Sequence, residues 1–102
     1  MAENVIDRRI KPFTMVSNAV IESDVLTKPV ELAVYVVICK HAGNRTRQSY
    51  LRVDTIAREA HSSDRVVRRS IKALEAVGFL KVTKNYRADG GHMHNTYEIL
   101  DV

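Results

Sequence analysis

Apolar residues recur along this chain with several rhythms, and each rhythm predicts an element. From Val53 onward the apolar positions are Val53, Ile56, Ala57 and Ala60. A spacing of i, i+3, i+4 and i+7 marks a two-turn amphipathic helix. His61-Ser62 makes a turn. Ser63 suits the N-cap of a second helix, because its hydroxyl can accept from orphan backbone N–H groups. That second helix is predicted from about Asp64 to Val77. At about 100° per residue, Val67, Ile71 and Leu74 share one narrow face. Gly78 suits the left-handed position that ends it. Phe79-Leu80 then returns to the core, Leu80 to Tyr86 reads as a strand, and Thr96 to Leu100 reads as its returning partner. Between them lies the turn Arg87-Ala88-Asp89-Gly90-Gly91-His92, with Asp-Gly-Gly as its strongest signal.

Upstream the rhythms are weaker. Val34-Tyr35-Val36-Val37-Ile38 is β-branched and aromatic, and local propensity alone favours a strand. The punctuation around it predicts a helix instead. Pro29 suits a first turn, Thr27 or Lys28 can cap it, and Gly43-Asn44 suits its stop. About fourteen residues lie between those signals, too many for a typical strand. Apolar residues on every side imply a helix buried over most of its surface. Before it, Phe13-Thr14-Met15-Val16 fits a short strand, and Ala19-Val20-Ile21 fits one helical turn capped by Asn18. After it, Asn44 to Ser49 reads as a polar loop, and Tyr50-Leu51 as a short strand pairing with the hairpin. Met1 to Lys11 is polar and charged. It reads as a flexible arm that Pro12 closes, so residues 1–12 form the arm and 13–102 the folded domain.

Composition narrows the class. The 102 residues fit one domain, and 45% hydrophobic content supplies a single modest core. Lys and Arg number 16 against 12 Asp and Glu, a net charge of +4. That excess permits a nucleic-acid partner without proving one. The lone Cys39 excludes a disulfide within the chain and fits a reducing compartment. The N-terminus has no apolar stretch of the kind a signal peptide needs, and the run Leu32 to Cys39 is too short to cross a bilayer. A cytoplasmic protein, associated with the nucleoid or a plasmid and with no membrane partner, is expected.

The order helix, tight turn, basic helix, two-stranded hairpin predicts an α+β fold, the winged helix-turn-helix. It would have three main helices, a β-hairpin wing and a short N-terminal extension. The chain resembles the winged-helix domains of plasmid replication initiators and phage replisome organisers, including DnaD-like N-terminal domains. The resemblance covers about Phe13 to Ile99. It is carried by Phe13-Thr14-Met15-Val16-Ser17-Asn18 leading to Ile21 and Leu26, then Ala33-Val34-Tyr35 and Thr55-Ile56-Ala57-Arg58. It continues through Ser63, Val67, Arg69, Ile71 and Leu74 to Gly78-Phe79-Leu80 and Asn95-Thr96-Tyr97. The middle motifs are common to many winged-helix regulators. The opening segment and Asn95-Thr96-Tyr97 point toward the replication group. His61 stands at the turn where the family usually has glycine.

The basic helix is the candidate reader of duplex DNA. Arg65, Arg68, Arg69 and Lys72 fall within an arc of roughly 100° away from the apolar face. A charged exposed face is ordinarily just a solvated one. Four cations on the second helix of this motif favour DNA contact instead. Ser63, Asp64 and Arg65 sit at the end that typically enters the major groove. Arg65, Arg68 or Arg69 can fork onto guanine O6 and N7, while Lys72 is better placed for phosphate. Lys81, Lys84 and Arg87 are wing candidates. Arg45, Arg47 and Arg52 form a second basic loop, and Ser49 or Thr55 can donate to a phosphate.

Other chemistry has less support. His92 and His94 lie two apart, but no CxxC, HxxxH or HExxH pair accompanies them, so no metal or cofactor is expected. No Ser-His-Asp set, paired-carboxylate site or Gly-rich phosphate loop is legible, and Tyr86 and Tyr97 read as packing residues rather than nucleophiles. A non-enzymatic, sequence-specific binder of double-stranded DNA is expected, in plasmid or phage replication initiation by the resemblance. A transcriptional repressor or partition regulator of the same fold is the alternative, and a winged helix used for protein interaction or oligomerisation is another. A homodimer and replication proteins are the further partners weighed.

Overall fold

Ser17, not Asn18, starts the first regular element. In the computed structural model, which describes residues 13–42, 48–85 and 95–100 (the backbone alone at 48–50), helix α1 spans Asn18–Glu22. Ser17 is its extended N-cap, and the Ser17 hydroxyl oxygen accepts from the Ala19 N–H at 3.2 Å. Asn18 is already helical. Residues 13–17 form no strand. The alternation that predicted one is real, since Phe13 and Met15 face solvent while Thr14 and Val16 are half-buried. Val16 packs the segment against the core, and the segment is none of the three strands of the described sheet. The predicted arm, residues 1–12, lies outside the described residues.

Helix α2 spans Pro29–His41, with Pro29 in its first turn and Lys28 as the N-cap. The cap works through Glu31. Its carboxylate accepts from the N–H groups of Thr27 at 3.1 Å and Lys28 at 3.3 Å, so two orphan donors are satisfied by one buried side chain. Lysine has no acceptor to return the bond. Val34, Tyr35, Val37 and Ile38 are buried, as expected of a helix that is apolar all round. The predicted stop at Gly43-Asn44 falls outside the described residues; the last helical turn gives way to an extended Ala42.

Strand β1 spans Gln48–Leu51, two residues longer at its start than predicted, which moves Ser49 from loop to strand. Helix α3 spans Val53–Glu59 and α4 spans Asp64–Ala76. The turn between them is a Schellman motif. The Ser62 N–H donates to the Ala57 carbonyl at 2.9 Å, the His61 N–H to the Arg58 carbonyl at 3.3 Å, and His61 takes the left-handed φ of +56°. The geometry ordinarily given to glycine is therefore kept by histidine. Ser63 caps α4, its hydroxyl oxygen accepting from the Val66 N–H at 3.2 Å. A second Schellman motif ends α4, with Phe79 N–H to the Leu74 carbonyl at 3.0 Å and Gly78 at φ +87°.

Strands β2 (Leu80–Thr83) and β3 (Asn95–Ile99) complete an antiparallel sheet of order β1-β3-β2. β2 is shorter than predicted, and β3 begins one residue earlier. The register sets Tyr97 between Ser49 and Val82. Tyr97 is wholly buried, beneath a core that also holds Leu51, Ile56, Val67, Leu74 and Leu80. Tyr35 meets Phe79 edge to face at 6.2 Å between ring centres, which locks α2 onto the segment leaving α4. The whole is α+β: three main helices followed by an antiparallel hairpin, the winged helix-turn-helix arrangement.

Candidate nucleic-acid interface

The exposed side of α4 comes from the same periodicity that buries its other side. Val67, Ser70, Ile71 and Leu74 are buried, while Arg65, Arg68, Arg69 and Lys72 are exposed. Ser70 is polar yet 2% exposed, and its hydroxyl donates to the Val66 carbonyl at 2.8 Å, so it completes the core face without an orphan group. It stands three residues after Val67, in the i+3 slot of the spacing that Ile71 and Leu74 continue, and only its polar side chain kept it out of the predicted face. None of the four cations makes an ion pair within the described residues. Guanidinium groups left in solvent remain able to fork onto phosphate or guanine.

An open groove of about 660 Å³ separates α4 from the sheet. Arg68 and Lys72 reach it from α4, and Lys84 from just beyond β2. Leu51, Ile71, Val82 and Tyr97 line it beneath them. Burial pushes the Tyr97 phenol above its ordinary range, opposed by the Asn95 amide N–H at 3.4 Å from its oxygen and by the positive charge of Arg68. Asp54, Asp64 and Glu75 line the same groove. The wing side of α4 is thus mixed in charge, while Arg65 and Arg69 are exposed on α4 outside the groove lining.

The remaining predicted residues divide. Lys81 and Lys84 are exposed, and Lys81 stands directly across the ladder from Glu98. Arg52 lines the groove but its Nη2 lies 3.1 Å from Asp54 Oδ2, so part of its charge is already answered by a neighbour. Thr55 is half-buried on α3. Ser63 is engaged as a cap through its oxygen. Arg45, Arg47 and Arg87 lie outside the described residues, as do Tyr86, His92, His94 and the predicted wing turn. Among the described residues no cluster of His, Cys, Asp or Glu is arranged to hold a metal, and no helix is long and apolar enough to cross a membrane.

The family model of the helix-turn-helix domain matches residues 28–80, from the cap of α2 to the first residue of β2. The chain belongs to the helix-turn-helix domain family. The match spans all three main helices and stops where the wing begins. Membership makes DNA the implied partner. No curated protein and no solved structure matches the chain.

Proposed function

We propose that this helix-turn-helix protein binds duplex DNA sequence-specifically through α4 and serves replication initiation on a plasmid or phage. The observation that carries the binding is the exposed basic arc of α4, four cations without an ion-pair partner among the described residues, on the second helix of the motif. Arg65, Arg68 and Arg69 act on base edges and backbone, Lys72 on phosphate, and Lys81 and Lys84 on the strand beside the wing. Residues 13–102 form the binding domain, preceded by an arm. The replication role is supported by the opening Phe13-Thr14-Met15-Val16-Ser17-Asn18 segment and the Asn95-Thr96-Tyr97 ending, which resemble replication initiators. Selecting bound duplexes from a random pool and locating the site in the source genome tests it. An origin supports replication, and a promoter makes the protein a repressor.

Replacing Arg65, Arg68 and Arg69 together with Ala should lower affinity for a selected duplex at least about 100-fold while the urea midpoint holds. Equal affinity of variant and wild type would reject the assignment. If about five phosphates are neutralised, log affinity falls with log salt at a slope of about −4.5. A contact surface is the second reading, favoured by Phe13, Met15, Ile21 and Val25, all at least half exposed. Sedimentation of wild type against Met15→Glu separates it, since a self-association surface would show as a shift to monomer.

A further inference from the structure

Asp64 is out of place on a surface meant for phosphate. It is the first residue of α4, directly after the Ser63 cap, and it is exposed. Its carboxylate has no ion-pair partner among the described residues, although Arg68 stands one turn further on. It lines the same groove as Arg68 and Lys72. Favourable interaction with the helix N-terminus accounts for an acid in the first turn of free α4. It does not say what the carboxylate meets when a duplex lies against that end. There it loses water and faces phosphates of its own sign, unless a hydrogen-bond donor replaces the water.

The major groove offers two such donors, the N4 amino group of cytosine and the N6 amino group of adenine. The adenine amino group is flanked by its own N7 and by thymine O4, both acceptors that repel a carboxylate. The cytosine amino group has guanine O6 on one side and a carbon-bound hydrogen on the other. A carboxylate therefore meets one repelling neighbour at cytosine and two at adenine. We infer that Asp64 is a specificity-determining residue that accepts from the N4 amino group of one cytosine, and that its charge weakens binding to every duplex lacking a donor there. This rests on the reading of α4 as the helix that enters the major groove.

The test selects duplexes from a random pool with wild type, Asp64→Ala and Asp64→Asn, and checks folding of each by thermal melt. Wild type should enrich cytosine at one position, and changing that cytosine to thymine should weaken it about tenfold. Asp64→Ala should lose the preference there, keep it elsewhere, and bind unrelated duplex about threefold more tightly, because a repulsive charge is gone. Asp64→Asn should move the preference toward adenine, since a carboxamide can donate to N7 while accepting from N6. If Asp64→Ala retains the wild-type preference at every position, Asp64 serves only the helix end and the inference is overturned, while DNA binding by α4 stands. If wild type enriches no sequence, specific binding by α4 fails and the inference falls with it.

Discussion

Helices α2 and α4 are each 13 residues long and pack against one another, yet they are opposite in construction. α2 spreads its hydrophobicity around nearly the whole circumference and carries five β-branched residues among its 13, poor helix formers when isolated. It also packs on α3 and β1. Its helicity is therefore imposed by burial and by the Pro29 and Glu31 start. α4 is strongly one-sided, with a narrow apolar face and an arc of cations away from it. A covered helix speaks only for stability. A half-covered one has side chains to spare for a partner.

The sharpest way to break that contrast is to shorten one side chain on each. Ile38, wholly buried in α2, should cost about 3 kcal/mol on truncation to Ala, through lost transfer energy and the cavity left behind. That is a large share of the roughly 5–15 kcal/mol that holds such a domain together. Arg69→Ala on α4 should stay within about 0.5 kcal/mol of wild type. Urea melts of the two variants decide it. Similar losses would mean that α4's charged side is packed rather than free.

The same contrast explains what could be read in advance. α4 announced itself because half-burial writes a period of 3.6 into the sequence, and the Ser63 cap and Gly78 stop agreed with it. α2 carries no such period, and only the start signals at Thr27 to Pro29, the stop signal at Gly43-Asn44 and the distance between them overruled the strand propensity of Val34 to Ile38. Glu31 was not legible, because its role depends on reaching back to Thr27 and Lys28 in space. Asn18 lost the cap of α1 to Ser17, a one-residue shift between two good cap formers. The outward placement of Arg65, Arg68, Arg69 and Lys72 followed from periodicity. The groove acids Asp54 and Glu75, and Tyr97 beneath them, come together only once the sheet folds back beside α4, and no local spacing encodes that meeting.

A smaller effect separates the C-terminal ends of α3 and α4. α3 and α4 close with the same hydrogen-bond pattern, one with His61 at φ +56° and one with Gly78 at φ +87°. A β-carbon costs about 1–2 kcal/mol in left-handed backbone, and glycine gives back part of that relief in chain entropy. His61→Gly should therefore stabilise the protein by about 0.5 kcal/mol. Gly78→Ala should destabilise it by about 1 kcal/mol. Space is not the reason, since a β-carbon at Gly78 would meet nothing within 4 Å. Thermal melts should move in opposite directions. Movement of both the same way would show that His61 is held by contacts of its ring.

The smallest expected effect lies at the exposed end of α2, where the covered helix has its polar tie. Glu59 Oε1 on α3 takes both the His41 Nε2 at 2.8 Å and the Lys40 Nζ at 3.0 Å. These hydrogen bonds, His41's first, hold the Glu59 carboxyl below its ordinary value against the small cost of desolvation. A carboxyl lowered by folding stabilises the native state fully above its unfolded value, and the contribution disappears as pH falls through the folded value. Glu59→Gln should consequently melt slightly earlier than wild type near neutrality. The two urea midpoints should converge as the medium is taken below the ordinary carboxylate range. Salt should narrow the gap at neutral pH, because the site is partly exposed and screened. Midpoints that stay parallel down through the acid range would show that the α2–α3 junction is held by its apolar contacts alone, and that α2 draws no stability from its C-terminal ion pair.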